Sequence, residues 1–90
     1  MRLRHTKHGD RELRKLDPQL RRSAEAALAD FERDTLPPGL NFEKLRGYDN
    51  LYSIRINRNH RVILVRDADN VYEIYRIGPH DTYDRLGGGD

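Results

Sequence analysis

Between Leu51 and Arg66 the chain carries four arginines, Arg55, Arg58, Arg61 and Arg66, together with His60 and no acidic residue. The planar guanidinium fork makes paired contacts with phosphate or carboxylate oxygens, so an acid-free run of arginines suits an anionic ligand. Beyond the run, His80 stands in a turn opened by Gly78 and Pro79. Histidine titrates near neutrality and delivers a proton at physiological pH. Tyr83 follows, with a phenol that needs cationic neighbours before it can act as a base. The chain has no cysteine, which excludes a disulfide framework, a thiolate metal site and a Cys nucleophile. His5 and His8 have no ligand-like partner at metal spacing, so neither a metal site nor a cofactor is expected.

The rest of the composition bounds what can hold these groups. Ninety residues of 10.6 kDa with a mean hydropathy of -0.97 describe one small domain with a modest core. A chain this size buries only about two thirds of the surface its unfolded form exposes, so dependence on a partner is expected. Of 17 cationic residues only Lys7, Lys15 and Lys44 are lysines, and 15 acids bring the net charge to +2. The acids are displaced from the arginine run: six of them lie in residues 67–90, against Arg76 and Arg85. A nearly neutral body with one basic strip is the resulting picture. No apolar run approaches the ~18 residues of a membrane span, and a cytoplasmic location with no membrane partner is expected. One domain over residues 1–86 is expected, with 87–90 as a frayed Gly-rich tail.

Hydrophobic spacing assigns the elements. Leu13 and Leu16, then Leu20, Ala24, Ala27, Leu28 and Phe31, recur at three and four residues and predict helices over 8–16 and 18–33. Asp17-Pro18 between them reads as an N-cap followed by proline at the first helical position. A first strand is expected within residues 2–6. After Pro37-Pro38-Gly39 the period changes to two, giving strands over 51–56, 60–66 and 71–77 with turns at 57–59 and 67–70. The expected fold is α+β, with two N-terminal helices packed on one face of a small, mainly antiparallel twisted sheet in the order β-α-α-β-β-β. If Tyr52, Ile54 and Ile56 face the helices, Ser53 and Arg55 face away, toward a surface that no remaining element is long enough to cover.

Four segments then carry a resemblance: Leu40-Asn41-Phe42-Glu43-Lys44-Leu45, Tyr52-Ser53-Ile54-Arg55-Ile56, His60-Arg61-Val62-Ile63-Leu64 and Gly78-Pro79-His80-Asp81-Thr82-Tyr83. In this order and at these separations the chain resembles the RelE/ParE superfamily of bacterial type II toxins over nearly its whole length. The resemblance implies a toxin with a cognate antitoxin. In the RelE branch it implies cleavage of messenger RNA at the ribosomal A site. In the ParE branch it implies poisoning of DNA gyrase, and a catalytically inactive antitoxin-binding module is a further alternative. The RNA cleavage needs a base for the ribose 2'-hydroxyl, an acid for the leaving 5'-oxygen and a cation for the phosphorane.

The resemblance assigns those roles residue by residue. Arg61 matches the arginine that contacts the scissile phosphate, and Arg55 lies across from it at a second basic position of the family. Ser53 stands where the best-known RelE type has another cation, a departure from its lysine-based mechanism. In the YoeB type a C-terminal histidine is the acid and a glutamate before the first meander strand is the base, which His80 and Glu43 match if one gap is allowed. Tyr83 matches a tyrosine that stacks on a base or takes part in proton transfer. Lys44, Arg46, Arg58 and Arg76 are the remaining cations expected to contact RNA.

Overall fold

A computed structural model describes residues 1–81. Tyr83 and the Gly-rich tail lie outside the described residues. Strand β1 (Arg2–Arg4) leads into helix α1 (Lys7–Arg14) and helix α2 (Pro18–Glu32), and a single 3-10 turn (Pro38–Leu40) follows. Then come β2 (Glu43–Lys44), β3 (Leu51–Arg55), β4 (His60–Ala68) and β5 (Val71–Pro79). The sheet order is β1-β5-β4-β3-β2; β1 runs parallel to β5 and the other pairs are antiparallel. The helices start where the chain supplies caps. Thr6 Oγ1 accepts from Gly9 N, and Asp17 Oδ1 accepts from Leu20 N just before Pro18.

The stripe of α2 buries Ala24, Ala27, Leu28 and Phe31 against Ile54, Val62, Leu64, Tyr72, Ile74 and Ile77 of the sheet. Phe31 is the centre of this layer. Its ring meets Phe42 and Tyr72 edge-on at centroid distances of 5.3 and 5.0 Å, a favoured geometry for aromatic quadrupoles.

Three expectations are corrected. The segment read as a linker at Glu43 is a short edge strand, making five strands instead of four. Strand β4 runs on to Ala68, so the second turn shrinks from 67–70 to Asp69 and Asn70, with Asn70 at φ 60°. Asparagine tolerates this left-handed conformation, which lets two residues reverse the chain. Finally, the sheet face turned away from the helices is partly covered. Gly47, at φ 88°, folds the chain back, and Leu45 and Tyr48 close over Leu51, Ile63 and Val65. Ser53, expected on an open surface, is only 1% exposed as a result.

Helix α1 completes the sheet where β1 is too short. Pairing of β1 with β5 ends at Glu73, and from there the outer edge of β5 is met by helix side chains. The His8 ring donates from Nε2 to the Tyr75 carbonyl at 2.6 Å, and Glu12 Oε1 accepts from Ile77 N at 3.0 Å. Burial of Glu12 alone would raise its pKa. The Ile77 N–H bond and the Lys15 ammonium at 3.1 Å outweigh that and leave the carboxyl titrating below the ordinary glutamate range. Glu12→Ala orphans a buried N–H and is expected to cost roughly 1–3 kcal/mol in urea unfolding at neutral pH, with Glu12→Gln milder because its amide oxygen still accepts. A depressed folded pKa means that the carboxylate stabilises above its unfolded value and stops doing so as pH falls through the folded one. The gap between wild type and Glu12→Ala should therefore narrow in acid.

Candidate active site

The exposed half of the outer sheet face is set by strand register. Arg55 pairs with Arg61, Ser53 with Ile63 and Leu51 with Val65. Backbone bonds from Ile56 N to His60 O and from Arg66 N to Asn50 O put the even-numbered residues of β3 in the hydrogen-bonded positions. Arg55 and Arg61 therefore form a non-bonded pair, the type in which side chains approach most closely. Two like charges directly opposite each other destabilise a sheet. Arg61 Nη1 is, moreover, buried and has no hydrogen-bond partner among the described residues. A cationic pair held together in this way, with a buried donor unused, is arranged for an anion.

The neighbours of this pair come from three more positions. Glu43 pairs with Ser53, which places it on the same face, exposed, with its Oε1 accepting from Asn41 Nδ2 at 3.2 Å. On β5, Gly78 lies opposite Arg61 and contributes no side chain there, and Arg76 lies opposite Ile63. The bond from His80 N to Asn59 O, 2.7 Å, continues the β4–β5 ladder one pair past His60 and Pro79. That register keeps His80, which is exposed, in step with Gly78 and Arg76. Glu43, Arg55, Arg61, Arg76 and His80 thus share one face.

Other candidates fall elsewhere. Arg66 leaves the strip: it is an odd number of residues from Arg61, and alternation turns it to the helix face, its guanidinium 5.6 Å from the centroid of the Tyr52 ring. Nearby, the Tyr72 phenol is pushed up in pKa by burial and by Tyr52, with Arg66 opposing. Lys44 pairs with Tyr52, on that same helix face at the sheet edge. Arg46 is exposed in the segment after β2, and Arg58 is exposed in the β3–β4 turn. Arg76, by contrast, keeps its place on the shared face, with its guanidinium 5.5 Å from the centroid of the Tyr75 ring. His60 is held by Asn57, whose Oδ1 accepts from His60 N and Asn59 N and lies 3.2 Å from His60 Nδ1. Among the described residues no three His, Asp or Glu side chains converge to hold a metal, and no helix is long and apolar enough to cross a membrane. The far end of the outer face is neutralised by Arg4, which pairs with Asp67 and Glu73 at 2.6 and 3.2 Å. Sequence reasoning had no partner for Arg4, because the parallel β1–β5 pairing joins the two ends of the chain.

Comparison with known proteins fits this arrangement. The family model of the ParE-like toxin domain matches residues 18–85. The archaeal RelE in the RelE–RelB complex from Pyrococcus horikoshii is 26% identical, covering 87% of this chain and 92% of that one with a TM-score of 0.63. Escherichia coli RelE, in a free-state double arginine mutant, is 20% identical over 97% of this chain and 90% of its own, with a TM-score of 0.67. YoeB in the YoeB–YefM complex from Staphylococcus aureus is 21% identical over 89% and 97%, with a TM-score of 0.64. No curated protein matches the sequence. With two helices on a five-stranded mixed sheet and a family match over most of its length, the chain belongs to the ParE-like toxin family, within the RelE/ParE superfamily of type II toxins.

Proposed function

We propose that the toxin cleaves messenger RNA without a metal, at the ribosome, and so arrests translation in the cytoplasm. The observation that supports this reading is the opposed Arg55–Arg61 pair with a buried donor on Arg61 that has no partner among the described residues. In this mechanism Glu43 takes the proton of a ribose 2'-hydroxyl. The 2'-oxygen attacks the adjacent phosphorus, and Arg61 and Arg55 stabilise the extra negative charge of the phosphorane. The bond from phosphorus to the 5'-oxygen then breaks as His80 protonates the leaving oxygen, giving a 2',3'-cyclic phosphate and a 5'-hydroxyl. Tyr83 is assigned to stacking on the neighbouring base, and Arg76, Arg58 and Arg46 to the flanking phosphates; Lys44, on the helix face, has no part in this site. The partner that neutralises the toxin is a cognate antitoxin, as the RelE–RelB and YoeB–YefM complexes have for their toxins.

Gyrase inhibition is the second reading, favoured by the ParE-like description of the family match. Pulsed expression with separate readouts separates the two. Loss of amino-acid incorporation before any fall in DNA synthesis is expected. Stalled DNA synthesis with intact transcripts would reject the nuclease. His80→Ala is expected to relieve growth arrest while the variant still binds antitoxin, checked by co-purification.

A further inference from the structure

Strand β5 carries one residue too many for its neighbour. Ile63 pairs with Arg76 and Leu64 with Ile74, so Tyr75 has no residue opposite it and the strand bulges there. A bulge breaks the alternation of side chains, and here it sets Tyr75 beside Arg76, whose guanidinium lies 5.5 Å from the centroid of the tyrosine ring. Helix α1 fixes the bulge from the other side. The Tyr75 carbonyl is the one that the His8 ring meets at 2.6 Å, and the two rings lie 6.5 Å apart at an interplanar angle of 40°. Gly9 allows this approach, because a Cβ on it would stand 3.2 Å from the Ile74 Cβ. Tyr75 is nevertheless 36% exposed, whereas the Phe31, Phe42, Tyr52 and Tyr72 rings pack on one another.

A single exposed tyrosine is ordinary on a protein surface. This one is held by its backbone and flanked by a guanidinium and an imidazole, the surroundings in which an unpaired base of RNA stacks. Its place fits as well. Arg76 joins it to the face that carries Arg61, and Gly78, opposite Arg61, is three residues further along β5, roughly 10 Å at the rise of a strand. In the other direction Glu73 and Asp67 are taken up by Arg4, so the cationic face ends at the bulge. We propose that Tyr75, backed by Arg76, is a stacking platform for one unpaired base of the RNA, in a nucleotide close to the scissile phosphate. This base is separate from the one assigned to Tyr83. Stacking responds to ring area and not to hydrogen-bonding edges, so the platform gives a preference for purines at that single position. The inference rests on the nuclease reading.

The test uses the full chain and ribosomes programmed with messages that carry an abasic nucleotide at successive positions of the codon presented for cutting, which fixes the register of the RNA. At one position the missing base is expected to lower kcat/KM of the wild type about tenfold, the loss typical of one base–aromatic stack. Tyr75→Leu should cut the intact message about tenfold less efficiently and show no further loss with that abasic message, because the ring is already gone. Tyr75→Phe keeps the ring and should behave as wild type does. Each ratio compares two messages cut by the same protein, so a smaller folded fraction of a variant cancels. Abasic penalties that are the same in wild type and Tyr75→Leu at every position, or no penalty anywhere in wild type, overturn the platform and leave the nuclease standing. Intact message with wild type removes the nuclease reading and the platform with it.

Discussion

Arg61→Ala is expected to lower RNA cleavage by about 100- to 1,000-fold, the loss typical of removing one preorganised donor from a developing oxyanion. The same substitution should leave the protein as stable as wild type or more so. Arg61 faces Arg55 across a non-bonded strand pair, and its Nη1 has no partner among the described residues. Removing it relieves like-charge repulsion and an unsatisfied buried group at once. A residue kept for folding would behave in the opposite way. Thermal unfolding read beside cleavage therefore separates the two roles, and a fall in both would assign Arg61 to structure. Arg61→Lys should recover only part of the activity, because a point charge cannot make the paired contact of a guanidinium.

Phe31→Ala is expected to have the largest effect on folding, about 3–5 kcal/mol, because it empties the centre of the main core. The side chain is fully buried, and two of the five ring contacts of the aromatic cluster, those to Phe42 and Tyr72, go with it. Against a total stability of roughly 5–10 kcal/mol for a chain this short, the variant should be largely unfolded at modest urea concentrations. Phe31→Leu keeps most of the volume and should lose well under half as much. Equilibrium urea denaturation of the three proteins measures both values. Midpoints within error of one another would show that the helix layer does not hold the sheet in the way described.

Much of this layout is legible in the residues. The 3–4 spacing from Leu20 to Phe31 and the capping pair Asp17-Pro18 locate α2, and the alternation from Tyr52 to Ile56 locates β3 and its two faces. The opposition of the two arginines is legible as well, since both are three residues from Arg58 at the turn. Other features depend on contacts that no local pattern announces. Glu43 and Lys44 form a strand only because β3 offers an edge, and two residues carry no periodicity. Ser53 is buried on a face that the preceding segment, turned at Gly47, partly covers, a tertiary event at a residue whose own strand position reads as exposed. Arg66 was grouped with the strip by composition, whereas strand parity assigns it to the other face. Glu12 reads as an ordinary helix acid, and its bond to Ile77 N follows from the shortness of β1, far away in sequence.

The central claim, metal-free cleavage on the face of Arg61, is tested most directly by the chemistry of the cut ends. Ribosomes programmed with a defined message are incubated with the purified full chain, in matched reactions with wild type and Arg61→Ala, and the new 3' termini are analysed. The account predicts 2',3'-cyclic phosphate termini with wild type and about 100-fold fewer with Arg61→Ala. Intact message with wild type, or equal cleavage by the two proteins, would contradict it.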